Sequence, residues 1–253
     1  MKPSWLFPST VIFWSISHLQ ILPSWAALFF TLLPMESFFA PVGPGSTQAF
    51  QITNNSKDAP LAVEIYITNR SHDLNGKETN HRDGVDDDFL VYPPQMQLQP
   101  GQVQTVRVSW LGDGAPQQEL AFRLIAQQMP GSGDTTLDQQ DGKTISLTTL
   151  IRYAASVYIT PPGAKANILV ESAKAISNNE LELILHNQGT AHRILRENVT
   201  YTFTPKAQPD KAITIPLDIP ITNLLAGDRR RFVVPWPKEL PVGDINATIN
   251  LGQ

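Results

Sequence analysis

The 253-residue chain contains no cysteine. That absence removes thiol nucleophiles, disulfide frameworks, zinc–thiolate knots and iron–sulfur centres. A strong charge of one sign is missing too: 19 Lys and Arg stand against 23 Asp and Glu, for a formal net charge of −4. A mildly acidic chain offers no electrostatic footprint for nucleic acid. No serine sits in a Gly-x-Ser-x-Gly elbow and no glycine-rich loop opens a helix. The five histidines (His18, His72, His81, His186 and His192) never fall at metal-ligand spacing with carboxylates on one element, and they read as surface or turn residues. The sequence therefore nominates no catalytic residue, no metal ligand and no cofactor. Wholesale disorder is excluded as well, because 42% of the residues are hydrophobic.

What is present begins with a removable segment. In residues 1–26 Lys2 is the only charge, apolar residues follow (Trp5-Leu6-Phe7, Val11-Ile12-Phe13-Trp14, Ile21-Leu22), and Ser24-Trp25-Ala26 supplies a small-x-small cleavage pattern. Pro8, Ser15, Ser17, His18, Gln20 and Pro23 interrupt any continuous span of ~20 apolar residues, which weakens the competing reading as a membrane anchor. The expectation is an exported chain with no anchor left after cleavage.

Beyond that segment the dominant period is two. Leu61, Val63, Ile65 and Ile67 share a face, as do Val106, Val108 and Trp110, and Phe122, Leu124 and Ala126. The second half repeats the pattern with Leu181, Leu183 and Leu185, then Val199, Tyr201 and Phe203, then Ile245, Ala247, Ile249 and Leu251. Asn54-Asn55, Pro93-Pro94, Pro100-Gly101, Asn178-Asn179 and Ala226-Gly227-Asp228 punctuate these runs as turns. Short strands at that spacing predict an all-β chain of two antiparallel sandwiches, since about seven strands fill ~100 residues. Pro161-Pro162-Gly163 is the natural boundary, because consecutive prolines cannot continue a ladder. The expected division is 1–26, 27–161 and 162–253. Asp83, Asp86, Asp87 and Asp88 lack the glycine and terminal glutamate of a calcium loop and read as a solvated loop. Arg229-Arg230-Arg231 reads as the exposed start of a strand.

Two features resist a purely structural account. The run from Ile145 to Ile159 is long for a sandwich strand; it is either a core strand or an edge that soluble proteins normally suppress. Arg123 and Arg152 each stand in an otherwise apolar strand, and a buried arginine needs a carboxylate, whether the protein's own or another molecule's.

At these residues a family resemblance appears. Val91-Tyr92-Pro93-Pro94-Gln95-Met96-Gln97-Leu98-Gln99-Pro100-Gly101-Gln102, running into Val106-Arg107-Val108, resembles the signature of PapD-like periplasmic pilus chaperones. Phe50-Gln51-Ile52-Thr53-Asn54-Asn55 is similar to the family's second strand and turn, and Ser156-Val157-Tyr158-Ile159-Thr160-Pro161 to the end of its seventh strand. Leu185-His186-Asn187-Gln188-Gly189-Thr190-Ala191-His192-Arg193 and Leu225-Ala226-Gly227-Asp228-Arg229-Arg230-Arg231 resemble the archaic branch.

The resemblance implies two immunoglobulin-like β-sandwich domains in a boomerang arrangement. It implies a periplasmic, non-enzymatic chaperone that lends its seventh strand to fimbrial (pilin) subunits and passes them to the outer-membrane usher. Strand addition supplies a backbone ladder while alternate apolar side chains fill a groove; the donor positions would be Ile145, Leu147, Thr149 and Ile151, extending to Tyr153. The family also holds the subunit's terminal carboxylate with two basic residues. Met35-Glu36-Ser37-Phe38-Phe39-Ala40 offers no arginine, and Ser156 stands where a lysine is expected, so Arg123 and Arg152 are the substitutes the resemblance suggests. An exported adhesive or carbohydrate-binding sandwich would have the same fold, but its surface aromatic cluster is not evident, since the aromatics occupy strand-parity positions.

Overall fold

The computed structural model describes residues 30–130, 135–140, 143–148, 150–177, 179–196 and 198–252; the expected signal segment and Thr149 lie outside them. Every regular element among the described residues is a strand, apart from two three-residue 3-10 turns at Pro44–Ser46 and Pro209–Lys211. The first sandwich uses β1 (Phe30–Leu33), β2 (Glu36–Phe39), β3 (Thr47–Asn54), β4 (Leu61–His72), β5 (Glu78–His81), β6 (Phe89–Tyr92), β7 (Gln95–Leu98), β8 (Val103–Trp110), β9 (Leu120–Gln128), β10 (Thr135–Gln140), β11 (Lys143–Thr148) and β12 (Arg152–Ile159). One sheet runs β1-β3-β8-β6. The facing sheet runs β2-β12-β9-β4-β5, with β7 also beside β4. β1 and β2 are two residues apart yet belong to opposite sheets, so the chain crosses the sandwich edge at Pro34-Met35.

The alternation read from the sequence places the core. Leu61, Val63, Ile65 and Ile67 are buried, and so are Val106, Val108, Trp110, Phe122, Leu124 and Ala126. Each such side chain removed from water contributes about 1.5–3 kcal/mol before chain entropy is counted. Asn54 closes the turn after β3: its amide donates to Ala59 O (3.0 Å) and Leu98 O (3.1 Å), and its Oδ1 accepts from Ser56 N (2.9 Å). A fully buried asparagine is tolerated there because its polar atoms are satisfied.

The second sandwich contains β13 (Ile168–Ser177), β14 (Glu180–Asn187), β15 (Arg193–Leu195), β16 (Thr200–Pro205), β17 (Ile213–Pro216), β18 (Thr222–Leu224), β19 (Arg229–Pro235) and β20 (Ile245–Asn250). Its sheets run β13-β14-β19, β15-β18 and β17-β16-β20. Its separate core is built on Leu181, Leu183, Leu185, Tyr201, Phe203, Phe232 and Trp236. Asn187 repeats the Asn54 device, donating to Ala191 O, Leu224 O and Leu225 O and accepting from Asn167 N and Gly189 N.

Three expectations change. The single strand anticipated from Ile145 to Ile159 is two strands, because β9, the partner of β12, ends at Gln128. There Gln128 N donates to Ile151 O (2.9 Å) and Ile151 N to Gln128 Oε1 (3.3 Å), so the side chain completes the pairing and the ladder stops. Within Arg229-Arg230-Arg231 only Arg229 is exposed; Arg230 is 9% exposed. Finally, His72 and His192 are not surface residues, with side chains only 5% and 10% exposed.

Candidate functional site: an incomplete sheet edge beside an arginine pair

The unusual edge belongs to β12. On one side it pairs with β9 along its whole length, from Arg152↔Gln127 to Ile159↔Leu120. On the other side it meets β2, in parallel, only from Ser156↔Glu36 to Ile159↔Phe39. Among the described residues, Arg152–Ala155 have no strand on that side, and β11 pairs with β10 alone. The backbone groups they turn to that side, of which Ala154 O takes a long bond from Arg123 Nη1 (3.4 Å), form a template for an added strand, the arrangement soluble proteins usually blunt.

The sheet surface turned away from the core carries the second feature. Register aligns Thr68 of β4, Arg123 of β9 and Ser156 of β12, and Arg70 and His72 follow on the same face of β4. Glu78 of β5 lies opposite His72. Arg123 donates from Nε to Glu78 Oε1 (2.8 Å) and from Nη2 to Oε2 (2.6 Å), while its Nη1 donates to Ser156 Oγ (2.8 Å) and Ala154 O (3.4 Å). Arg70 donates from Nε to Glu78 Oε2 (2.9 Å) and from Nη1 to Tyr158 Oη (2.8 Å). Two guanidiniums therefore share one carboxylate, with side chains 6% (Arg70), 16% (Arg123) and 25% (Glu78) exposed. Burial raises the Glu78 carboxyl, but hydrogen bonds from His72 and Arg123 and the charge of Arg70 overcome it and hold the group well below the usual carboxylate range.

Polar bridges tie this face to the second sandwich. His72 Nδ1 lies 2.7 Å from Asp228 Oδ2 and His72 Nε2 3.4 Å from Glu78 Oε2. With an acceptor at each ring nitrogen the imidazolium is favoured, and the His72 pKa is raised, chiefly through Asp228 and then Glu78. Arg231 N donates to Leu74 O (2.7 Å), and Asn223 Nδ2 to Tyr158 Oη (2.7 Å). Gly76, with φ +90°, leaves room for the Arg230 guanidinium: a Cβ there would lie 2.1 Å from Nη1. A second bridge lies at the other end of the interface. Glu119 accepts from His192 N (2.9 Å) and Thr160 Oγ1 (2.8 Å) and contacts His192 Nδ1 at 2.5 Å. The His192 ring stacks on Tyr158 with centroids 3.9 Å apart.

The residues expected from the sequence occupy different parts of this arrangement. Arg123 belongs to the Glu78 pair. Arg152 is exposed, opposite Gln127, and four residues along β12 from Ser156, roughly 13 Å at ~3.3 Å per residue. Ile145 and Leu147 lie on β11, in register with Asp138 and Thr136. Ile151 is half-buried beside the core, and Tyr153 packs edge-on against Phe30 with centroids 4.9 Å apart. Sequence reasoning missed Arg70 and Glu78. Arg70 shares the parity of Thr68 at the polar end of the long β4 run, which is a faint signal; Glu78 gives none before β5 is paired. No group of three or more His, Asp or Glu poised for a metal occurs among the described residues.

Residues 43–165 match the family described as pili and flagellar-assembly chaperone, PapD N-terminal domain. No curated protein matches the chain in sequence. Among solved structures, a chain of a chaperone–tip adhesin complex of CFA/I fimbriae biogenesis is 15% identical with a TM-score of 0.55, covering 86% of this chain and 97% of its own. The class 5 fimbriae chaperone CfaA is 14% identical with a TM-score of 0.54, covering 89% and 100%. A chain of the CsuC–CsuE chaperone–tip adhesion subunit complex from archaic Csu pili of Acinetobacter baumannii is 14% identical with a TM-score of 0.50, covering 81% and 89%. These likenesses show a shared fold, two immunoglobulin-like sandwiches, along most of the chain.

Proposed function

With residues 43–165 as its PapD N-terminal domain, the chain is a PapD-like chaperone of pilus assembly, a family that works by binding and not by catalysis, and we propose that it captures fimbrial subunits in the periplasm by donating the β11–β12 edge to an incomplete subunit sheet. The observation that carries this reading is the edge itself: among the described residues, β12 is paired on both sides only over its last four residues, and β11 on one side only. A subunit lacking a strand has the complementary defect, an open groove and unsatisfied backbone groups, each costly to leave unpaired. Ile145, Leu147, Thr149 and Ile151, extending to Tyr153, are the donor positions. Three apolar insertions at ~1.5–3 kcal/mol each give several kcal/mol of gross driving force, reduced by the ordering that binding imposes.

In this reading the subunit's terminal carboxylate is received at Arg123. Arg70, which shares Glu78 with Arg123, is the second cation of the seat, and Arg152 meets the subunit farther along the strand. Residues 1–26 serve as the export signal, the two sandwiches meet near Pro161-Pro162-Gly163 in a boomerang, and the captured subunit passes to an outer-membrane usher. The similarity of the stretches 185–193 and 225–231 to the archaic branch supports that branch of the pathway.

Co-expression with the neighbouring secreted subunits tests the reading by co-purification. Leu147→Glu with Ile151→Glu should abolish capture, because a carboxylate cannot enter an apolar groove without losing its hydration. Arg123→Ala should do so while the circular dichroism spectrum is retained. Undiminished subunit recovery with the double Glu variant would refute strand donation, and undiminished recovery with Arg123→Ala would refute the seat.

A further inference from the structure

The Arg123 donors suited to an incoming carboxylate are already engaged. Its parallel Nε and Nη2 groups form a fork on the two oxygens of Glu78, at 2.8 and 2.6 Å, while Nη1 is committed to Ser156 and Ala154. Bidentate forks of this kind are the strongest recognition geometry an arginine has. The carboxylate that fills this fork comes from an unusual place. β5 is a four-residue strand at the end of its sheet, paired among the described residues only with Asn69–His72, and the Glu78 side chain remains 25% exposed. The two arginines, by contrast, are set on the long central strands β4 and β9. A fixed pair of cations thus faces a carboxylate on a peripheral hairpin, which can leave by a side-chain rotation without breaking any ladder.

We propose that Glu78 is an internal stand-in for the client's terminal carboxylate: it occupies the Arg70–Arg123 seat in the free chaperone and is displaced when a subunit docks. The inference rests on the reading of Arg70 and Arg123 as the carboxylate seat. Its physical logic is exchange. Two largely buried guanidiniums without a counter-ion would be costly and would close on the nearest solvent anion. Glu78 keeps them oriented and makes the free site unresponsive to stray carboxylates, since any competitor has to beat an intramolecular partner of high effective concentration. A subunit does so because its carboxylate is delivered by the added strand, and so is itself effectively intramolecular once the first rungs of the ladder form. Displacement also removes the second acceptor from His72, whose other nitrogen faces Asp228 of the second sandwich, so occupancy of the seat is transmitted to the domain interface.

Acetate is the probe, read through the Nε–H resonances of Arg70 and Arg123 in the full mature chain, with acetamide as the uncharged control. Wild type should respond weakly. Glu78→Gln, which keeps the side-chain shape and removes its charge, should take up acetate at a concentration lower by about tenfold or more. Glu78→Asp, whose shorter carboxylate cannot reach both guanidiniums, should fall between them, and this second variant serves if the first is unstable. Glu78→Gln that melts cooperatively and binds acetate no better than wild type overturns the stand-in. If subunit capture depends on Arg123 in the same preparations, that failure leaves the seat intact; if capture is indifferent to both Arg70→Ala and Arg123→Ala, the seat itself is wrong and the stand-in falls with it.

Discussion

Replacing Glu119 by alanine is expected to separate the two sandwiches without harming either core. The Glu119 side chain is 3% exposed and serves three groups at once: His192 N, the His192 ring and the Thr160 hydroxyl. Its removal leaves three donors in a largely buried site unpaired, at about 1–3 kcal/mol each. These contributions overlap, so a total of about 3–5 kcal/mol is expected, charged to domain docking. Glu119→Gln keeps an oxygen for the His192 amide and loses only the charge, and should cost about 1–2 kcal/mol. The assay is supplied by the sequence: of the five tryptophans, three precede residue 27, leaving Trp110 in the first core and Trp236 in the second. Urea unfolding of Trp110→Phe and Trp236→Phe backgrounds, followed by fluorescence, reports each domain separately. The two probes should coincide with Glu119 present and diverge in Glu119→Ala. Coincident curves at the unaltered midpoint would refute the claim that this bridge couples the domains.

Asn187→Ala should cost about 2–4 kcal/mol, since five hydrogen bonds that close the turns of the second sandwich are lost and several carbonyls are left buried; the loss should register at Trp236 in denaturant unfolding, and a Trp110-only response would contradict it. His72 gives a pH signature. Its folded pKa is raised, so its contribution is fully present below the unfolded value of ~6.5 and disappears as pH rises through the folded value. Melting temperature should therefore fall across that window in wild type and lose this dependence in His72→Ala; an identical pH profile in the two proteins would contradict the assignment.

The sandwich cores were legible because alternation is a local property: one glance at Leu61 to Ile67 or Leu181 to Leu185 assigns the buried face, and burial follows it. The turn asparagines, Asn54 and Asn187, were legible as motif positions for the same reason. What escaped was nonlocal. The break at residues 150–151 depends on where β9 ends, at Gln128, more than a score of residues earlier. The Glu78 pair requires three strands in register, β4, β5 and β9, and no spacing along the chain announces it. Arg230 looks like one more surface charge until the hairpin after β4 is folded over it. Arg123 could be singled out as an anomaly, but its partner could not be named from the sequence. The sequence likewise cannot separate Arg152 from Arg123, although they stand at different depths along the same sheet.

The hairpin tip between β4 and β5 reaches the other half of the molecule through Leu74 O, Gly76 and His72. Together with the Glu119–His192 bridge, this hairpin lets the first lobe hold the second by direct contact as well as through the covalent connection. A chimaera that grafts the C-terminal lobe onto a relative would have to carry residues 72–76 with it; transplanted alone, that lobe would be joined to its host and yet have no fixed bearing.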